Sequence, residues 1–138
     1  MKKKRLATCP CCSGKTYKKC CQPYHDGTAP PTAEALMRSR YSAYAMHLPA
    51  YIIESTHPQN TLYQTNTKEW KEELLSFCQS VSFTKLEVLA TEEGETSAVV
   101  SFRAHFSQDD RRSHFTEKSL FKKVLGRWLY HEGQVLSE

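Results

Sequence analysis

A chain of 138 residues that is 39% hydrophobic and 25% charged has room for one domain and a small appendage, with the composition of an ordinary globular protein. No apolar run approaches the ~20 residues of a membrane span, and the basic cluster Lys2-Lys3-Lys4-Arg5 is followed by Thr8-Cys9-Pro10 where a signal peptide needs an apolar stretch. The formal net charge of +4 is unevenly placed: residues 1–21 hold seven of the nineteen basic side chains and none of the 15 acids, a basic head on a mildly acidic body. A head of that sign suits an anionic partner such as RNA, a ribosome or an acidic protein face, and it also serves simply to offset thiolate charge.

Five of the six cysteines lie within residues 9–21, in two tight groups separated by a short basic loop. Four thiolates brought together in this way suit one tetrahedral ion, and zinc prefers that sulfur-rich, closed geometry. Disulfides fit poorly, because vicinal Cys20 and Cys21 and near-vicinal Cys9 and Cys11 are awkward to bridge. A redox pair has a C-x-x-C to use, but no buried strand precedes it. The chain is accordingly expected in the cytoplasm, where thiols stay reduced. Spacing alone leaves the ligand set open, since C-x-x-C selects Cys9 and Cys12 whereas C-x-C selects Cys9 and Cys11. Lys15, Lys18 and Lys19 project from the loop between the groups with Tyr17 among them, a pattern able to hold a nucleic-acid backbone or an acidic protein surface. Tyr17 can equally pack against the knuckle.

Residues 25–31 read as a linker in a proline-rich stretch, 22–31, which turns at Asp26-Gly27 and excludes helix. Thr32 offers an N-cap, and from 33 to about 47 the positions Leu36, Met37, Arg40/Tyr41, Tyr44 and Leu48 form one apolar stripe of a helix. Pro49 interrupts it, and 50–56 reads as a second short helix. Asn66 with Glu69 resembles a capping box opening a third helix through Gln79, with Cys78 as a small core hydrophobe. The period then changes. Residues 81–90 are β-rich, Ala98 to Phe106 alternate strictly, 114–124 form a long strand, and 127–131 a fourth. Three helices followed by four strands in series predict an α+β fold, with an antiparallel sheet curling over the helices. The zinc knuckle is expected over 1–24 and the α+β domain over 32–138.

The string Cys9-Pro10-Cys11-Cys12-Ser13-Gly14-Lys15, with Tyr17 to Cys21 after it, resembles the SEC-C motif, the zinc-binding tail of the SecA translocation ATPase. The resemblance implies Cys9, Cys11, Cys20 and Cys21 as ligands to one structural zinc. SEC-C members commonly have glycine where this chain has Cys12, which leaves a spare thiol beside the site. Because SecA's tail docks on the SecB chaperone, the resemblance also makes an acidic protein partner natural. Thr32-Ala33-Glu34-Ala35-Leu36-Met37-Arg38-Ser39-Arg40-Tyr41, then Thr56-His57-Pro58 and Gly126-Arg127-Trp128-x-Tyr130, are similar to the YchJ family of bacterial proteins. That likeness implies a cone-shaped, nuclear transport factor two-like domain behind the knuckle, and it supplies a fold and a metal but no reaction. The sequence ends at Glu138 without a second motif, so one zinc per chain is the expectation.

A closed four-cysteine site has no position for substrate or activated water, so the zinc is read as structural and the knuckle as an interaction module. No catalytic residue is assigned. The alternative is an enzyme or small-molecule binder using the mouth of the cone, where Arg40, Tyr44, His57, Trp70, Arg103, His105 and Glu117 are expected to converge. Arg40 on an apolar stripe needs a partner, and Glu117 is the expected one. The exposed sheet face offers a surface for a homodimer.

Overall fold

The computed structural model describes residues 8–136, so the Lys2-Lys3-Lys4-Arg5 cluster lies outside the described residues. The cysteine segment forms two turns, the second a 3-10 turn over Tyr17–Lys19. In the first, the Cys9 N–H donates to the Lys15 carbonyl (2.9 Å) and the Cys12 N–H to the Cys9 carbonyl (3.2 Å); in the second, the Cys20 N–H donates to the Tyr17 carbonyl (3.0 Å). Helix α1 (Gln22–His25) follows at once. Reading 22–31 as wholly non-helical misses this turn, because Pro23 sits at the helix start, where its missing N–H has no intrahelical partner to lose.

Helix α2 (Ala33–Ala45) starts as its sequence predicts: the Thr32 hydroxyl accepts from the Ala35 N–H at 3.1 Å. The Glu93 carboxylate, from the loop between the first two strands, adds a second cap, accepting from the Ala33 and Glu34 N–H groups. Pro49 does more than end the preceding helix; it heads α3 (Pro49–Glu54) for the same reason that Pro23 heads α1. Helix α4 (Thr67–Ser80) is capped by Asn66, whose side chain accepts from the Glu69 N–H. Its buried residues are Trp70 and Cys78, the latter a small core hydrophobe 1% exposed.

Four strands, β1 (Ser82–Glu92), β2 (Ser97–Gln108), β3 (Arg111–Val124) and β4 (Arg127–Leu136), form an antiparallel meander in chain order. The last two run longer than the sequence predicts: β3 starts earlier because the turn before it takes only two residues, and β4 runs on to Leu136 because it pairs along β3 as far as Thr116. Asp109 and Asp110 (φ 53° and 64°), then Leu125 and Gly126 (φ 51° and 81°), all lie in the left-handed region, the pattern of type I′ hairpins. Register shifts at Phe83/Lys85 and Val88/Ala90 in β1, and at Leu120/Phe121 between β3 and β4, bend the sheet into a curve. Ala98, Val100, Phe102 and Ala104 point to one face of β2 and are buried, which matches the alternation in the sequence. Helix α2 lies across that face against β1, β2 and β4. The core joins Leu36, Ile52, Val100, Phe121 and Trp128 to Cys9, Cys11 and Cys21, so cysteine knuckle and sheet share one apolar cluster. Among the described residues no helix is long and apolar enough to cross a membrane.

Candidate functional site

The Sγ atoms of Cys9, Cys11, Cys20 and Cys21 all lie within 4.8 Å of one another. Cys11 to Cys20 measures 3.6 Å and Cys20 to Cys21 4.0 Å. A tetrahedral ion with metal–sulfur bonds of about 2.3 Å holds its four sulfurs roughly 3.8 Å apart, so this donor set fits a single metal ion. Adjacent Cys20 and Cys21 both reach the centre because the backbone at Cys20 leaves the helical region (φ −125°, ψ −94°) between them. Cys12 faces away. Its Sγ accepts from the Leu86 N–H at 3.4 Å and donates to the Pro10 carbonyl at 3.6 Å. Its φ of 64° explains why the SEC-C pattern commonly has glycine there.

The cysteines are held by the body of the protein. Ser42 donates to the Cys21 sulfur at 3.3 Å and lies 3.4 Å from that of Cys9. Arg38 donates from Nη1 to the Cys11 carbonyl at 2.8 Å while its Nε pairs with Glu34 at 3.0 Å. Arg38 and Ser42 stand one turn apart on α2, so a single helix face supports the whole cluster. Hydrogen bonds from Cys21 and Cys9 pull the Cys11 thiol far below the ordinary thiol range, and hydrogen bonds with Cys11 and Cys9 hold Cys21 far above it. Four thiolates at this spacing would repel one another, and a cation among them would offset that repulsion.

Lys15, Lys18 and Lys19 are exposed on the loop between the ligand pairs. Tyr17 turns inward. His25 Nε2 donates to the Ser39 carbonyl at 2.8 Å, which leaves Nδ1 as acceptor for the Tyr17 hydroxyl at 2.7 Å. The His25 ring also packs edge-on against Tyr51, whose phenol is pushed up to about 12, chiefly by burial. Residues 22–31 therefore tie the knuckle to α2 and α3.

A cavity of about 390 Å³ opens between α2, α4 and the curved sheet face. Of the seven residues expected there, Arg40, Tyr44 and Glu117 line it; His57, Trp70, Arg103 and His105 do not. Arg103 and His105 occupy the opposite face of β2, where both meet Glu87 across the strand at 3.6 and 3.2 Å; the His105 hydrogen bond is the main cause of Glu87's lowered pKa. The strict alternation already separated them from Phe102 and Ala104, and a residue on the polar face of a half-buried strand cannot line the cup on the other side. His57 stacks edge-on against His131 at 4.8 Å beside β4, its backbone N–H bonded to the Tyr130 carbonyl. Trp70 is buried against Tyr63.

Arg40 does not pair with Glu117 as expected. Its Nη1 donates to the Ile52 carbonyl and to the Ser55 and Thr56 hydroxyls at 2.8 to 3.0 Å, and its guanidinium lies 4.5 Å above the Tyr130 ring. Glu117 stands at the far end of that same ring: its Oε2 accepts from the Tyr130 hydroxyl at 2.9 Å and from Ser119 at 2.6 Å. Burial first, and then the Glu117 carboxylate, raise the Tyr130 pKa well above the usual phenol range, so the hydroxyl stays a donor. A Cβ at Gly133 would collide with the Glu117 carboxylate and the Tyr130 hydroxyl. Sequence reasoning missed Ser119, Tyr130 and Gly133. The first was legible in the period of two along Phe115, Glu117, Ser119 and Phe121; the other two depend on which strand pairs with β3.

The family profile described as "YchJ, middle NTF2-like domain" matches residues 32–133, and that of the SEC-C motif matches residues 7–23. A UPF0225 protein of Pectobacterium carotovorum is 38% identical over 133 residues, spanning 91% of this chain and 82% of its own. One of Streptomyces coelicolor is 36% identical over 132 residues, spanning 93% and 95%. Among solved structures, the solution structure of a SEC-C motif containing protein from Rhodopseudomonas palustris superposes with a TM-score of 0.81 at 33% identity, covering 94% of this chain and 98% of that one. A crystal structure of a SEC-C motif containing protein from Psychrobacter arcticus gives 0.77 at 27% identity, covering 97% and 86%.

Proposed function

Since the chain belongs to the YchJ-like family, with a SEC-C motif ahead of an NTF2-like domain, we propose that it is a cytoplasmic docking protein whose knuckle, closed on one zinc ion, presents a basic surface to an acidic protein partner. Zinc is favoured by the donor set itself: four unbridged cysteines at tetrahedral spacing, three of them buried and Cys20 half-buried, suit a borderline-soft ion without redox chemistry. Such a site is coordinatively full, so the metal acts by fixing the loop that bears Lys15, Lys18 and Lys19.

One observation carries the docking reading. The lysines sit on a loop tethered at both ends by the ligand cysteines, and those cysteines are packed into the same core as α2. A charged surface held so rigidly loses little entropy when a partner binds. An acidic protein face is favoured over nucleic acid because Tyr17 spends its hydroxyl and its ring on His25 and is not free to stack on a base.

The test is fluorescence anisotropy on the metal-loaded protein with a labelled Asp/Glu-rich peptide of twelve residues and a labelled single-stranded RNA of equal length. The peptide is expected to bind with affinity that falls steeply with salt. The triple variant Lys15→Glu, Lys18→Glu, Lys19→Glu should abolish binding while shifting unfolding stability by less than about 1 kcal/mol, as exposed sites do. Retained peptide binding in that variant defeats the reading, and tighter binding of the RNA redirects it to nucleic acid.

A further inference from the structure

Eight aromatic side chains line the cavity between α2, α4 and the sheet, and its rim is apolar too, with Leu62 74% and Phe77 45% exposed. A volume of about 390 Å³ lies in the range of small-molecule sites. Two charged groups break the apolar wall, and they are of opposite sign. Among the described residues Arg40 has neutral partners: one carbonyl, the hydroxyls of Ser55, Thr56 and Tyr44, and the Tyr130 ring. Glu117 spends both of its hydrogen bonds on Oε2, which leaves Oε1 with no partner among the described residues. The carboxylate cannot swing, because Tyr130 and Ser119 grip it from two sides. Gly133 supplies the recess that lets this group of atoms meet, since any side chain there would collide with it. Arg40, bonded to the segment after α3 and stacked on Tyr130, holds the ring that holds the carboxylate.

We propose that this cavity binds a small, neutral, ring-shaped compound carrying one hydrogen-bond donor, a phenol-like hydroxyl or a ring N–H, which it delivers to Glu117 Oε1. An anionic ligand meets the Glu117 carboxylate inside an apolar wall, and a cationic one meets Arg40; each pays for burying an unmatched charge. A neutral donor avoids both penalties and satisfies the one acceptor that the site leaves open. Flat rings suit a wall built from aromatic faces and edges. This site is separate from the cysteine centre, and the inference does not rest on the docking reading.

The experiment is isothermal titration of the full-length, metal-loaded protein at neutral pH with three probes of one shape: 2-naphthol, 2-naphthoate and 2-naphthylmethylammonium. Naphthol is expected to bind at least tenfold more tightly than either charged probe. Glu117→Gln keeps the shape; with Tyr130 and Ser119 still donating to its amide oxygen, its NH2 group turns toward the ligand donor, and naphthol affinity should fall by about tenfold or more. A thermal midpoint and metal content like those of the parent will show that this variant is folded. Independently of any variant, nuclear Overhauser contacts from bound naphthol to Phe102 and Phe115 should place it in the cavity. Preference for a charged probe, absence of naphthol binding at millimolar concentration, unchanged affinity in a folded Glu117→Gln protein, or contacts only elsewhere would each overturn the proposal.

Discussion

Cys12 sits among four cysteines that share a centre, yet its sulfur serves the Leu86 N–H and its backbone occupies a left-handed conformation. Composition could not separate it from Cys11; direction does. Successive side chains in the tight turn diverge, and only Cys11 points at Cys20, 3.6 Å away. Cys11→Ser should therefore reduce bound metal from one ion per chain to none, while Cys12→Ser should keep the full ion, read by elemental analysis of the purified proteins. Metal retained in the first variant, or lost in the second, would reassign the ligand. Glu117 shows the same limit. Its place in the cavity was legible from period-two reasoning, but its partner was not, because Tyr130 faces it only through the pairing of β3 with β4.

Elements were the most readable level. Thr32 and Asn66 cap the helices that their side chains predict, and the alternation of β2 names its buried face. The errors were made by prolines and turns. Pro23 and Pro49 each start a helix, a role that differs from breaking one only in where the preceding chain turns. The β3–β4 turn carries a testable weakness: Leu125 is 98% exposed at φ 51° and is followed by Gly126 at φ 81°. Asn-Gly is the favoured pair for such a turn, whereas leucine there is strained and presents its side chain to water. Leu125→Asn should stabilise the protein by about 0.5 to 1 kcal/mol, measured as a raised urea midpoint with an unchanged slope. A lower midpoint would mean that Leu125 contributes a contact which the isolated chain does not show.

At the scale of the whole molecule, the knuckle is built into the core. Cys9, Cys11 and Cys21 belong to the cluster that contains Leu36, Ile52 and Phe121, and α2 sends Arg38 and Ser42 to them. A metal held between these cysteines would sit against the core, so its loss would be felt there and not on a detachable tail. Chelation should lower the cooperative unfolding temperature of the entire chain by about 10 °C or more, corresponding to roughly 3 kcal/mol for a domain of this size. A near-ultraviolet signal from Trp70 and Trp128 that melts unchanged without metal would show the knuckle to be energetically separate.

The sequence by itself determined the cysteine cluster, the order of the main helices and strands, and the buried face of β2, because cysteine spacing, capping residues and hydrophobic period are local properties. It could not determine which side chains meet across the cavity. Arg103 and His105 were chemically attractive but lie behind the sheet, whereas Tyr130, Ser119 and Gly133 converge on Glu117 only once β4 has folded back along β3. Nor could it show that the knuckle and the sheet share a core, since Cys21 meets Ser42 on α2 and α2 in turn packs on the curved sheet. Those facts are set by the register of strands and the bend that their bulges impose, which belong to pairs of elements and to no single stretch of chain.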